Sequence, residues 1–204
     1  MFYEPRLKNS GMAIDPIKAV IVPRPIGWIS TIDLEGRVNL APFSFFNMVA
    51  DEPPILMFAT SGAKPDGSRK DSVNNAEAVG AFVANLATYD LKAAMNATSA
   101  SLPAGVSEAE AAGLEMVASR IVAAPRVKAS PVALECRYLQ TVSLPTLDPK
   151  EPNDVVFGEI VGVDIADDLI VEGRVDILRA KPIARMGYML YTMVDSAFRM
   201  DRPR

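Results

Sequence analysis

Between Lys64 and Ser72 the chain reads Lys-Pro-Asp-Gly-Ser-Arg-Lys-Asp-Ser. Two adjacent cations, Arg69 and Lys70, stand between two hydroxyls, Ser68 and Ser72. The turn residues Pro65, Asp66 and Gly67 precede them, and a helix-compatible run from Ser72 to Ala78 follows. A dianionic phosphate needs this set of groups. The turn frees backbone N–H groups, the helix start adds a positive dipole end, and the cations neutralise charge. The same composition also describes a solvated charged loop. Its place between two apolar, strand-like runs favours the phosphate reading.

Those flanking runs belong to a series of short elements that must hold the segment in place. Ala19 to Val22 and Ile26 to Ile32 read as strands, separated by Pro23-Arg24-Pro25. Arg37 to Ala41 closes a hairpin through the turn Asp33 to Gly36. Ile55 to Thr60 and Gly80 to Leu86 read as the strands on either side of the phosphate segment and its helix. Tyr89 to Ala100 has helical spacing. Ser107 to Gly113 offers a second helix, with Ser107 as cap and Glu110 three residues on. Strands return at Val132 to Val142, Val155 to Ile165 and Arg174 to Leu178. The Pro-rich stretch Leu144 to Pro152 reads as an exposed excursion between two strands. This order predicts a mainly β chain with helical insertions, an antiparallel β-barrel in one domain over residues 1–204. Neither G-x-G-x-x-G nor G-x-x-x-x-G-K-[ST] is present, so any nucleotide is held in another way.

Composition narrows the chemistry. Half of the 204 residues are hydrophobic, enough for a sizeable core. A net charge of −4 gives no basic face for nucleic acid, so the local cations suit a small anion. There is no histidine, which excludes Ser-His-Asp and Cys-His catalysis and removes the commonest metal ligand and general base. The single cysteine, Cys136, excludes an internal disulfide and a multi-cysteine metal site, and its apolar strand-like surroundings suit a packed, inert thiol. No metal is expected. Charged residues near the N-terminus argue against a secretory signal, and no uncharged stretch is long enough for a membrane span. A cytoplasmic protein is the expectation.

Three segments, in order, resemble the flavin reductase-like family of FMN-binding split-barrel proteins. They are Pro23-Arg24-Pro25-Ile26-Gly27-Trp28-Ile29-Ser30-Thr31, Asn39-Leu40-Ala41-Pro42-Phe43-Ser44-Phe45-Phe46-Asn47, and Arg69-Lys70-Asp71-Ser72 with its continuation Asn75 and Gly80 to Asn85. The later strand Gly158 to Val161 fits as well. The resemblance covers most of the chain and is weakest from Thr88 to Ala129 and over the last residues.

The resemblance implies an antiparallel split β-barrel and an FMN site. The first segment would run along the flavin, with Arg24 and Pro25 beside it and Ser30 and Thr31 bonding ribityl or phosphate oxygens. The backbone from Asn39 through Ala41, Pro42 and Phe43 to Ser44 would meet the pyrimidine edge, with Pro42 fixing the local φ. Ser68, Arg69, Lys70 and Ser72 would hold the phosphate, Arg69 as a fork and Lys70 as a point charge. Asp71 would cap the helix or orient Lys70. Gly187 would allow close approach to the ring, and Trp28 would lie within energy-transfer range of it. Arg24 suits a structural ion pair equally, and Phe43, Phe45 and Phe46 suit the core. The implied activity is an FMN-dependent oxidoreductase that acts with NAD(P)H and supplies electrons to free flavin, a small acceptor or a partner oxygenase. It would work as a homodimer with the cofactor near the subunit boundary. No catalytic side chain is assigned. Many NAD(P)H-dependent members carry Gly-Asp-His before the strand that here begins near Val155, whereas this chain has Pro152-Asn153-Asp154. A non-catalytic FMN-binding or electron-carrier protein is the alternative reading, and a ligand-free structural domain the third.

Overall fold

The computed structural model describes residues 1–102 and 106–203. In chain order its strands are β1 (Arg24–Pro25), β2 (Gly27–Ile32), β3 (Val38–Phe43), β4 (Phe46–Ala50), β5 (Ile55–Ala59), β6 (Ala81–Leu86), β7 (Met116–Val117), β8 (Arg126–Val127), β9 (Val132–Leu144), β10 (Asn153–Ile165), β11 (Ile170–Val171), β12 (Arg174–Val175), β13 (Ile183–Gly187) and β14 (Leu190–Met193). The helices are α1 (Ile17–Val20), α2 (Asp71–Val79), α3 (Lys92–Ala97), α4 (Glu108–Ala111) and α5 (Ile177–Ala180).

Seven strands form one antiparallel sheet in the order β3-β2-β6-β9-β10-β5-β4. Its two long members, β9 and β10, slip register between Phe157 and Gly158 and again between Ile160 and Gly162. Such bulges bend a strand and raise its twist, which lets the sheet curl into an incomplete barrel. Strands β3 and β4 are consecutive in sequence yet stand at opposite ends of the sheet. The barrel is therefore split beside β3. A smaller sheet, β1-β13-β14, lies apart from it.

Adjacent residues of β2 point to opposite faces, and both faces are buried. Ile29 joins Leu56, Phe58, Val73, Phe82 and Val156 under α2. Trp28 joins Ile26, Leu40, Met95, Val127 and Ile183 on the other side. This explains why the run Ile26 to Ile32 lacks the polar alternation of a half-exposed strand. Each such large side chain contributes roughly 1.5–3 kcal/mol through burial. Phe58 stacks edge-on against Phe82 with ring centres 5.2 Å apart, and Phe43 and Phe46 pack against the same cluster. Phe45 is exposed.

Two expected strands take other forms. Of Ala19 to Val22, Ala19 and Val20 end α1 and Ile21 and Val22 follow it outside any strand; the Asp15 carboxylate accepts the Ile17 N–H at 2.9 Å just ahead of that turn. Arg174 to Leu178 is strand only at β12 and then enters α5. The helix expected over Tyr89 to Ala100 is regular only within α3. At α4 the Ser107 hydroxyl accepts the Glu110 N–H, as a cap should. Strands β4, β13 and β14 have no counterpart among the expected elements.

Candidate functional site

Helix α2 begins where the phosphate segment ends. Lys70 is its N-cap, with extended backbone, and Gly80 closes it in the left-handed conformation at φ 74°. The first helical bonds run from the Val73 and Asn74 N–H groups to the Lys70 carbonyl. The N–H groups of Asp71 and Ser72 precede them and lack helical partners. Helix α2 packs across β2, β3, β6 and β9, so its N-terminus is held against the open edge of the sheet.

A cavity of about 870 Å³ lies there. Its walls come from the β2–β3 hairpin, the segment before α2, and the region from Thr98 to Glu110, among the described residues. Seven of the expected residues line it: Asn39, Ala41, Pro42, Phe43, Lys70, Asp71 and Ser72. An amide–hydroxyl network joins its floor. Asn39 Nδ2 donates to Ser72 Oγ at 2.8 Å, and Asn75 Nδ2 donates to Thr31 Oγ1 at 3.2 Å. Thr31 is fully buried and so braces the wall from behind. With its oxygen accepting from Asn39, the Ser72 hydroxyl keeps its hydrogen for an acceptor in the cavity.

Strand β3 ends the sheet, so alternate backbone groups along it have no strand partner. The Leu40 N–H is one such group and donates to Glu108 Oε2 at 3.4 Å. Two residues on, Pro42 has the same outward sense but carries only a carbonyl. The edge therefore offers an acceptor at 42, while the N–H at 40 is held by Glu108.

The remaining expected residues have other partners. The Arg69 Nε donates to Asp154 Oδ2 at 2.7 Å, and its Nη1 to Glu77 Oε2 at 2.6 Å. Arg69 thus spans α2 and β10 and is turned away from the cavity. The Arg69 guanidinium holds the Asp154 carboxyl below the usual carboxylate range, against the opposing effect of burial. Ser68 Oγ donates to Asp66 and stabilises the turn. Ser30 is buried, donates to the Pro125 carbonyl and accepts from Asn85. Arg24 donates to the carbonyls of Lys18 and Ile21, closing α1, and Pro25 pairs with Ala184 in the small sheet. Ser44 follows β3 at the turn and is half-buried. Gly187 is indispensable for a different contact, since a Cβ there would lie 2.6 Å from Ala19 Cα. Trp28 is a core residue, yet its indole N–H donates at 2.9 Å to Thr98 Oγ1, and Thr98 lines the cavity.

Three further cavity residues matter; Asn75 belongs to a segment that carries the resemblance, whereas Lys64 and Glu108 had little sequence signal as site residues. Lys64 opens the charged stretch, but its role needs the turn that folds it back, where its Nζ meets Asp71 Oδ1 at 2.8 Å. Asn75 lies one helical turn beyond Ser72. Glu108 sits inside a cap motif that announces a helix and says nothing about a site.

Against known proteins, the model of the flavin reductase like domain matches residues 20–180. The chain belongs to that family. An uncharacterised protein of Aquifex aeolicus is 38% identical over 176 residues, 86% of each chain. Among solved structures, nitrilotriacetate monooxygenase component B from Bacillus cereus superposes with a TM-score of 0.83 at 30% identity, covering 94% of this chain and 100% of that one. A Shewanella frigidimarina protein with a split barrel domain superposes with a TM-score of 0.83 at 22% identity, covering all of both chains. The architecture is the split barrel.

Proposed function

We propose that this protein is an FMN-binding oxidoreductase that uses NAD(P)H and passes electrons to free flavin, a small acceptor or a partner oxygenase. The observation that carries the reading is the cavity itself, where a helix N-terminus with Lys70 and Ser72 meets the unpaired edge of β3. The donor set fits FMN. The Asp71 and Ser72 N–H groups, the Ser72 hydroxyl and the Lys70 ammonium suit its phosphate. The Pro42 carbonyl suits its pyrimidine rim, and the volume lies within the roughly 300–1,000 Å³ usual for ligand sites. What FMN supplies when bound is hydride and electron exchange, which no side chain of this histidine-free site can perform. The protein binds, orients and shields. Seven cavity residues and Thr31 form the site in this reading, while Arg69, Ser30 and Arg24 support it from outside. Membership of a family with a monooxygenase component among its structures supports a partner oxygenase. A homodimer in one domain, located in the cytoplasm, completes the proposal.

One observation favours an electron carrier as second reading. Asp154 stands where many nicotinamide-using members have histidine, and it is buried with Arg69 and Ser143 as partners. A visible spectrum of the purified protein, followed by anaerobic titration with NADH and then NADPH, tests both. A flavin band that either nucleotide bleaches supports the reductase. A band that only dithionite bleaches supports the carrier. No saturable FMN binding defeats both.

A further inference from the structure

Three cations, Arg37, Lys64 and Lys70, line the cavity against five carboxylates, Asp33, Asp66, Asp71, Glu108 and Glu110. Most are paired locally. Arg37 binds Asp33 at 2.6 Å and Lys64 binds Asp71 at 2.8 Å. Asp66 is held by Ser68 in the turn. Lys70 then remains as the one unpaired cation among the described lining residues, in a lining that also holds Glu108 and the exposed Glu110 of α4. A lining with excess negative charge is a poor host for a dianion unless one carboxyl is neutral.

Glu108 is the group placed to be neutral. It projects from α4, which packs over β3, and the Leu40 N–H reaches it only in a long 3.4 Å contact. It is half-buried, whereas Glu110 is exposed. Burial pushes the Glu108 carboxyl above its ordinary range, outweighing the backbone N–H groups of Glu108 and Leu40 that favour the ionised form; the Asp71 charge adds to the rise and Lys64 opposes it. Asp33 and Asp66 go the other way. With no histidine in the chain, a carboxyl of this kind is the available proton store at the cavity wall.

We infer that Glu108 sets the charge of the ligand this cavity accepts: a dianionic phosphate seats at Lys70 and Ser72 with the Glu108 carboxyl protonated, so phosphate binding draws a proton into the site. The proton moves from solvent to a Glu108 oxygen, and no other bond changes. The inference rests on the FMN reading and predicts a preference for one phosphate over longer anionic ligands. It also makes FMN affinity fall as pH rises, by up to about tenfold per pH unit in the range where the carboxyl is ionised in the free protein but still protonated in the complex.

Calorimetric titration of the apoprotein with FMN, in two buffers of different ionisation enthalpy near pH 7, measures the proton directly. The wild type takes up a substantial fraction of one proton per FMN, and Glu108→Gln takes up correspondingly less. Near pH 8, Glu108→Gln binds FMN about tenfold more tightly than wild type, the equivalent of one unit of linked pKa. Near pH 5 the two converge, and riboflavin, which lacks the phosphate, shows no difference. Glu110→Gln keeps the wild-type uptake. Tight FMN binding by wild type without proton uptake overturns the inference and leaves the functional reading standing, even if Glu108→Gln fails to fold. Weaker FMN binding by a folded Glu108→Gln, or an equal effect on riboflavin, also overturns it. No FMN binding at any pH removes both.

Discussion

Lys70 and Arg69 are neighbours in sequence with opposite assignments. Lys70 faces the cavity, whereas Arg69 is fastened to Asp154 and Glu77 behind it. Lys70→Ala should weaken FMN by about tenfold or more, as expected for losing a charge-assisted contact of about 1.5–3 kcal/mol, and leave riboflavin nearly unaffected. Arg69→Ala should instead leave Asp154 buried and unpaired. A loss on the order of 3 kcal/mol in urea-unfolding stability is expected, with FMN and riboflavin weakened together. If Arg69→Ala reproduced the Lys70→Ala pattern with full stability, the assignment would be reversed. Trp28 gives a third reading at this scale. It touches the cavity wall through Thr98, so saturating FMN should quench its emission almost completely. Unchanged emission at FMN saturation would put the flavin elsewhere.

Among the elements, the loop from Ala118 to Ala124 depends on one carboxylate. Glu135 of β9 accepts from the N–H groups of Arg120, Ile121 and Val122 at 2.8, 2.7 and 3.2 Å. Burial pushes Glu135 up, but the three donors outweigh it and hold the carboxyl below its ordinary value of 4.5. Its stabilisation is therefore complete above about pH 4.5 and is lost as pH falls through the lower, folded value. Glu135→Gln should flatten acid unfolding over that window and cost about 1–3 kcal/mol at neutral pH, because an amide oxygen replaces two acceptors. An unchanged acid-unfolding curve would show that the loop is held by other contacts. The sheet was legible at this scale because β2, β5 and β6 are largely apolar runs and β3, β9 and β10 are strand-like stretches set off by Gly, Pro and Asp. Strand β4 was not, since Asn47 to Val49 is an exposed edge with no inward pattern to read. Strands β13 and β14 were not legible either: β13 buries Ile183 and Ala184 side by side, without alternation, and β14 is exposed at Leu190 and Tyr191. The site was half legible for a related reason. Residue types pointed to a candidate anion site, but which cation lines the cavity depends on Asp154, a partner 85 positions away.

Over the whole molecule, apolar side chains are exposed along the N-terminal segment, at Met189 and Leu190 of the second hairpin, and at Phe198 and Met200 beyond it. A homodimer that covers these would bury on the order of 1,600 Å² or more. Sedimentation should give twice the 22.0 kDa chain mass, and a stable monomer with FMN bound would rule the dimer out. The Arg69–Asp154 strut also has a kinetic consequence. It joins residues 85 positions apart, so its formation carries the closure cost of a long loop and is expected late in folding. The segment before α2 has its turn and its cations from local sequence alone, yet it is oriented by a strand made much later in the chain. During refolding, helix and sheet signals should therefore rise before the protein can capture flavin. On a ribosome, a nascent chain that ends before β10 would carry every residue of the phosphate segment and still be unable to use it.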